Sequence, residues 1–150
     1  MMARRAGTVL EVTKQDLYEF IRQHDLAVLA TVSPSRTSES ALVAIAATPD
    51  LELIFDTVKS SRKYSNLKEN PSISFVIGWK GEITLQYEGV AEEPTGAELH
   101  RYKSLYFARY PEGRSREVWP GIAYVKVRPT WIRYCDYNPE SRELPEFTFE

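Results

Sequence analysis

A short polar stretch between two apolar runs carries the residues best suited to bind an anion. Four consecutive residues lie at what their pattern predicts to be a helix start: Ser60, Ser61, Arg62 and Lys63. A serine hydroxyl there accepts hydrogen bonds from the unpaired backbone N–H groups of the first turn. The same helix end carries a partial positive charge, which favours a bound anion. With a guanidinium and an ammonium added, the stretch has the chemistry of a phosphate cradle.

The alternative for this stretch is an ordinary solvated helix start. Many helices begin with serine and carry basic residues for solubility alone. However, basic residues at this end oppose the helix dipole, and Lys59, Arg62 and Lys63 all lie within five positions. A bound anion or a neighbouring acid must compensate for them. The local chemistry does not decide between a phosphate site and a solvated helix start.

The composition is that of one globular domain. The chain has 150 residues, a hydrophobic fraction of 43% and a formal net charge of −2. This length is enough to bury a core, and the charge argues against general nucleic-acid binding, which normally needs a basic excess. No apolar run approaches the roughly 20 residues of a membrane span, and the basic N-terminus is not followed by the apolar segment of a secretory signal. We expect a cytoplasmic protein without nucleic-acid or membrane partners.

Metal-binding and nucleophilic residue types are sparse. Cys135 is the single cysteine, which excludes an intrachain disulfide and a cysteine-rich metal site. His24 and His100 are far apart, with no ligand spacing around either. The sequence therefore predicts no metal centre, and no general acid, base or nucleophile is identified.

Apolar periodicity predicts a mainly β chain with a few helices. Strands are predicted at residues 26–33, 41–47, 51–57, 72–79, 82–94, 122–129 and 130–137, the first three as an antiparallel meander. Helices are predicted at residues 13–25, from Ser61 to about residue 70, and at 97–110, followed by a loop at 111–121. Thr13 and Asp16 have the spacing of a capping box, and Gly89 inside a strand indicates a bulge or a close backbone approach.

Six or seven short strands separated by turn signals favour a closed β-barrel with peripheral helices. We expect one domain over residues 1–150, with residues 1–12 and 139–150 as arms. No glycine-rich dinucleotide-binding motif is present.

Two polar residues alternate with apolar ones in the strand predicted at residues 82–94. Thr84 and Gln86 would both lie on the face opposite the apolar residues. Such side chains either face water or line a site, where an amide offers a donor and an acceptor to a planar heterocycle. The residues themselves favour the solvent interpretation unless a phosphate cradle lies upstream.

The order of these pieces resembles the pyridoxamine 5'-phosphate oxidase-like family of flavin-binding split barrels. The resemblance spans about residues 15–138, nearly the whole chain. The segments that carry it are FDT (55–57), SSRK (60–63), the helix end at 66–71, FVIGW (75–79) and LQYEG (85–89). The SRK segment by itself is a moderately specific signal of this family. The order in which it occurs with the other segments is a more specific one.

The resemblance implies a six-stranded antiparallel split barrel, mainly β, that forms a homodimer with two flavin mononucleotide (FMN) sites at the interface. It assigns the flavin phosphate to Ser61, Arg62 and Lys63, and places Asp56 and Thr57 near the flavin through backbone or hydroxyl groups. It further predicts that a polar group of the following hairpin contacts the ring. Gln86 is the preferred residue for that contact and Thr84 its competitor.

The chain departs from the oxidase proper at its substrate signature. Residues 41–46 read ALVAIA where the oxidase has arginine and lysine, and Cys135 lies about where a tryptophan would fall. We therefore expect an FMN-binding oxidoreductase with an unassigned substrate other than pyridoxamine phosphate. The alternative is a non-catalytic module, either a carrier of flavin, deazaflavin or haem or a stress-response protein.

Overall fold

A computed structural model of the protein describes residues 11–140 and 144–150. The elements, in chain order, are α1 (Lys14–Arg22), β1 (Leu26–Val32), β2 (Ser38–Ala44), β3 (Ala46–Ala47), β4 (Leu53–Val58), α2 (Arg62–Glu69), β5 (Ser72–Ile77), β6 (Ile83–Glu92), α3 (Gly96–Arg109), β7 (Ile122–Asp136) and β8 (Glu146–Thr148). A 3-10 helix, Pro111–Val118, connects α3 to β7. Of the two expected arms, residues 1–10 and 141–143 lie outside the described residues.

One antiparallel sheet closes on itself to form the barrel. Its strand order is β2-β1-β5-β6-β7-β4-β3, with β8 added beside β7. The edge strands β2 and β3 are separated in the chain by the single residue Ile45. This bent segment pairs with β1 through its first part and with β4 through its second, which joins the two edges. The predicted antiparallel split barrel and its opening meander are confirmed, but the described sheet has eight strands rather than six. The bent segment counts as two strands, β2 and β3, and β8 is a short addition.

Helix α1 begins at the predicted capping box. The Thr13 hydroxyl accepts a hydrogen bond from the Asp16 backbone N–H at 3.2 Å, and the Asp16 carboxylate accepts one from the Thr13 N–H at 2.8 Å. These two bonds satisfy donors that a helix start leaves unpaired. Leu17 and Ile21, four residues apart on one helix face, are buried in the main core.

The main hydrophobic core fills the barrel. The Phe75 ring contacts Phe55 and Tyr87 edge-on, with ring centroids 6.1 Å and 5.6 Å away. The Tyr87 hydroxyl donates a hydrogen bond to the Leu51 carbonyl at 2.7 Å, so this buried polar atom has a partner.

A second apolar cluster lies outside the barrel wall, beneath α3. Its buried members are Ala46, Ile54, Tyr102, Tyr106, Phe107, Tyr110 and Tyr124. The Tyr110 hydroxyl donates to the carbonyl of Ile45 at 2.6 Å. Helix α3 is thereby attached to the residue at which the barrel closes.

Two predicted strands differ from the structure. The strands predicted at residues 122–129 and 130–137 form the single strand β7. Thr130 is the extra residue of a bulge, since Glu88 pairs with Trp131 and Gly89 with Pro129. The bulge lets the strand continue past a proline that has no N–H to donate.

The loop predicted at residues 111–121 is also wrong in part, because most of it is the 3-10 helix. Pro111 is its first residue. Proline suits this position, where a helix start leaves the N–H unpaired in any case.

The bulge predicted at Gly89 is confirmed. Gly89 also lies against the backbone of β7. A Cβ atom at this position would be 2.6 Å from the Arg128 carbonyl oxygen and 2.7 Å from Val127 Cγ1. The carbonyl belongs to a paired strand and cannot move without disturbing the ladder. We therefore expect Gly89→Ala to lower the free energy of unfolding, measured in urea, by about 3 kcal/mol.

Gly81→Ala is the matched control. Gly81 has a φ of +78°, but a Cβ atom there would meet no atom within 4 Å. Only backbone strain opposes this substitution, at a cost of about 1 kcal/mol. Equal losses in the two variants would contradict a steric role for Gly89.

Candidate anion-binding site

The turn between β4 and α2 brings two hydroxyl groups together. Thr57 Oγ1 and Ser61 Oγ are 2.9 Å apart. The Ser61 oxygen also accepts a hydrogen bond from the Tyr64 backbone N–H at 3.3 Å, which makes Ser61 the N-cap of α2. Because Thr57 is buried at the end of β4, the start of α2 is anchored to the barrel wall.

The first two residues of α2 line a small cavity at one end of the barrel. Arg62 and Lys63 face residues of β1 and β2 across it. The cavity has a volume of about 140 Å³, and we term it the cradle; its lining residues are Thr31, Glu39, Ser40, Ala41, Arg62 and Lys63. Two cationic side chains beside a helix N-terminus suit an anion such as a phosphate group. Ser61 caps the start of α2 but does not line the cradle.

An acid that the sequence did not identify also lies in the cradle. Glu39 Oε1 is 3.3 Å from Arg62 Nε and accepts a hydrogen bond from Asn66 Nδ2 at 2.9 Å. Asn66 Nδ2 also donates to Thr31 Oγ1 at 3.0 Å. The Glu39 side chain is 16% exposed and the Arg62 side chain 77%. The carboxylate is therefore held in place, whereas the guanidinium reaches into solvent.

The third basic residue of the stretch is balanced by a different acid. Glu93 Oε1 lies 4.0 Å from Lys59 Nζ, and its Oε2 accepts hydrogen bonds from the Tyr64 hydroxyl and Lys68 Nζ at 2.7 Å and 3.1 Å. Burial alone would raise the pKa of Glu93, but these hydrogen bonds and the two lysine charges outweigh it and lower the pKa. Glu93 thus stays ionised at neutral pH and offsets the lysine charges.

The carboxylate of Asp56 points away from the cradle. It accepts hydrogen bonds from Arg116 Nε at 2.8 Å and from the Tyr106 hydroxyl at 3.3 Å. Neighbouring residues of a strand face opposite sides, so Asp56 lies beneath α3 while Thr57 faces Ser61. The Asp56 side chain joins the 3-10 helix and α3 to β4, and its backbone contact with a flavin stays a prediction.

Gln86 and Thr84 both lie on the outer face of β6, as predicted. Gln86 is paired with Val76 on one side and Arg133 on the other. Its amide makes no hydrogen bond within the described part of the chain. The Thr84 hydroxyl, by contrast, donates to the Ile77 carbonyl at 3.2 Å. The carbonyl oxygen and the NH2 group of the Gln86 amide are therefore both available to a ligand.

An open trough of about 440 Å³ lies on this outer face, between β1, β5 and β6. Glu88, two residues beyond Gln86 on the same face, is one of its lining residues. Thr31 lines both the trough and the cradle. The two cavities share this residue, and the volume of the trough, taken without the cradle, is within the roughly 300–1,000 Å³ range of small-molecule sites. Together they suit a ligand with an anionic end and a longer body.

Four lining residues of the cradle were not identified from the sequence: Thr31, Glu39, Ser40 and Ala41. Asn66, which holds Glu39, was not assigned to the site either. Thr31 belongs to an apolar run, and Glu39 lies between the strands predicted at residues 26–33 and 41–47. Alternation in β1 was the available signal, since it places Thr31 on the buried face after Ala27 and Leu29. Glu39 became recognisable only through its pairing with Thr31 across the β1–β2 hairpin.

The described residues offer neither a metal centre nor a membrane-spanning helix. No group of three or more His, Cys, Asp or Glu side chains among residues 11–140 and 144–150 could hold a metal ion. Within the same ranges, no helix has both the length and the apolar character needed to cross a membrane.

Solved structures of other proteins share this fold. The haem-binding protein from Mycobacterium smegmatis superposes with a TM-score of 0.78 at 15% identity, over 93% of this chain and 60% of that one. General Stress Protein 26 from Bacillus anthracis superposes with a TM-score of 0.67 at 22% identity, over 83% of this chain and 95% of that one. HutZ, the haem storage protein from Vibrio cholerae, superposes with a TM-score of 0.69 at 14% identity, over 89% of this chain and 92% of that one. This chain thus spans about 60% of the length of the M. smegmatis protein.

No curated protein matches this sequence. A family profile described as pyridoxamine 5'-phosphate oxidase matches residues 13–136. The matched region extends from the cap of α1 to the end of β7 and contains the cradle and the trough. The chain belongs to the pyridoxamine 5'-phosphate oxidase family.

Proposed function

We propose that this protein is an FMN-binding oxidoreductase that holds the flavin phosphate in the cradle and the ring on the outer face of the barrel. The observation that carries the proposal is the pair Arg62 and Lys63 at the start of α2, in a cavity that adjoins the trough. A bound flavin would supply the electron-accepting ring. The protein would supply the binding groups and the shape of the site.

The donor set of the cradle suits a phosphate monoester. The Arg62 guanidinium offers a planar fork of N–H groups and the Lys63 ammonium a compact charge. The N-terminus of α2 adds partial positive charge at the same end. Gln86, with both amide groups available, is the proposed contact to the flavin ring.

The side chains of β2 support a substrate other than pyridoxamine phosphate. Residues 41–46 carry no basic group. Leu42, the second residue of this segment, is 58% exposed on the outer face of the barrel. An apolar surface offers no counter-charge to a second phosphate, so the substrate is expected to be a different small molecule.

We further propose that the protein is a homodimer with the cofactor at its interface. Leu42, Val28 and Val76 form one row across β2, β1 and β5, and Leu42 and Val76 are 58% and 40% exposed. Leu26, also 40% exposed, continues this apolar strip. Adjacent exposed apolar side chains on the face of a sheet favour packing against another surface. The strip lies on the same face as the trough, so a second copy would cover both.

The second candidate function is a non-catalytic carrier of haem or deazaflavin on the same barrel. The names of two structural neighbours, a haem-binding and a haem storage protein, favour haem. Titration with haemin separates this candidate from the first: a shifted Soret band without quenching of added FMN would favour the haem carrier.

Replacement of the two cradle cations tests the flavin proposal. We expect the wild type to quench FMN fluorescence with micromolar affinity. Arg62→Ala and Lys63→Ala should each weaken binding by about tenfold, because each removes a charge-assisted hydrogen bond to the phosphate. The fluorescence titration gives the dissociation constants directly.

Lys68→Ala is the matched control, since Lys68 lies at the other end of α2 and pairs with Glu93. We expect it to change FMN affinity by less than about twofold. An equal loss in Lys68→Ala, or no binding by the wild type at tens of micromolar FMN, would refute the proposed phosphate site.

A charge in the apolar strip tests the dimer. We expect Leu42→Asp to convert a dimer into a 17.2 kDa monomer in analytical ultracentrifugation, because it would bury an unpaired carboxylate at the interface. FMN affinity should fall with it. Val118→Asp, at a residue that is 85% exposed on the 3-10 helix, should change neither property. A monomeric wild type would contradict the proposal.

A further inference from the structure

The cradle contains a fixed carboxylate in addition to its two cations. Asn66, only 4% exposed, holds Glu39 Oε1 through its amide and is itself tied to Thr31. The second carboxylate oxygen of Glu39 makes no hydrogen bond within the described residues. Among the described residues, the Tyr124 hydroxyl is the buried side-chain polar atom that lacks a hydrogen-bond partner. The second Glu39 oxygen also lacks a partner but is not one of these fully buried atoms, so solvent reaches it.

This carboxylate changes the charge that a ligand meets. Arg62 and Lys63 contribute two positive charges and Glu39 removes one, whereas a phosphate monoester carries about −1.5 to −2 at neutral pH. Inside a cavity of about 140 Å³, a bound anion lies well within the Debye length of about 8 Å from Glu39. Salt therefore screens the repulsion only in part.

Glu39 also competes with the ligand for Arg62. Its Oε1 lies 3.3 Å from Arg62 Nε. Because Asn66 holds the carboxylate and the Arg62 side chain is 77% exposed, the guanidinium is the partner that moves when an anion binds. A phosphate must therefore share Arg62 with an existing counter-ion.

We propose that Glu39 is an internal counter-anion of the cradle, which weakens binding of doubly charged phosphate groups and favours ligands whose anionic end carries a lower charge. The proposal rests on the proposed function, since it concerns the same cradle. It assigns to Glu39 a role in ligand specificity.

Glu39→Gln tests this role, because glutamine keeps an acceptor oxygen for Asn66 and removes the charge. We expect the variant to bind FMN about tenfold more tightly than the wild type, through loss of the like-charge repulsion. Binding of riboflavin, which has the same ring without the phosphate, should change by less than about twofold. Raising the salt from about 0.05 M to about 1 M should reduce the gain for FMN.

Two further variants complete the test. Glu93→Gln removes the same charge outside the cradle and should leave FMN affinity within about twofold of the wild type. Glu39→Ala removes the charge and the acceptor together; it is less stable because Asn66 loses a partner, yet the folded fraction should also bind FMN more tightly.

The outcomes separate the two proposals. Wild-type binding of FMN with equal or weaker binding by both Glu39 variants would overturn the role of Glu39 and leave the cradle intact. An equal gain for riboflavin would also overturn it, because the effect would not act on the phosphate. Absence of FMN binding by the wild type and by all variants would overturn the proposed function, and the role of Glu39 with it.

Discussion

The barrel depends on the passage of the chain through Ile45. This one residue connects the two edge strands of the sheet, and both of its backbone groups are held: its N–H donates to the Asp25 carbonyl at 3.0 Å and its carbonyl accepts from Tyr110 at 2.6 Å. Its side chain is buried in the main core. Closure at this point brings the end of β4 round to the β1–β2 hairpin. The start of α2 is therefore placed opposite Thr31 and Glu39, and the cradle is a consequence of how the sheet closes.

The charged side chains described above form two separate groups, one beneath α3 and one around α2. Beneath α3, Asp56 is paired with Arg116, and burial together with the Asp56 charge raises the pKa of Tyr106 well above its usual value. Burial likewise raises the pKa of Tyr110 to about 12. Both hydroxyls stay protonated at neutral pH and act as donors that attach α3 to the barrel. Around α2, in contrast, the basic residues outnumber the acids that face them, which leaves a net positive charge for a ligand.

The parts of the fold that were predictable from the sequence are those set by local chemistry. The capping box of Thr13 and Asp16 and the cap at Ser61 each depend on a few neighbouring residues. Local preference also explains the incorrect break at Pro129, because a proline normally ends a strand and the compensating bulge arises in pairing with β6.

The candidate site was predictable only on one side. Arg62 and Lys63 were identified because they follow one another at a helix start. Glu39 was not, because its contact with Arg62 depends on the register between distant strands. Asp56 was assigned to the site from its position in the sequence, but its carboxylate lies elsewhere. Its neighbour Thr57 contacts the Ser61 hydroxyl. Strand alternation places the Asp56 carboxylate on the opposite face, where it pairs with Arg116, a residue distant in the sequence.

A crystal structure of the protein grown with FMN would show directly whether the cradle binds the flavin phosphate. We expect the phosphorus atom in the cradle, within about 4 Å of the Arg62 guanidinium and the Lys63 ammonium, and the ring on the outer face near Gln86. A flavin bound elsewhere with the cradle empty, for example in the cavity of about 460 Å³ beside Phe20 and His24, would contradict this expectation.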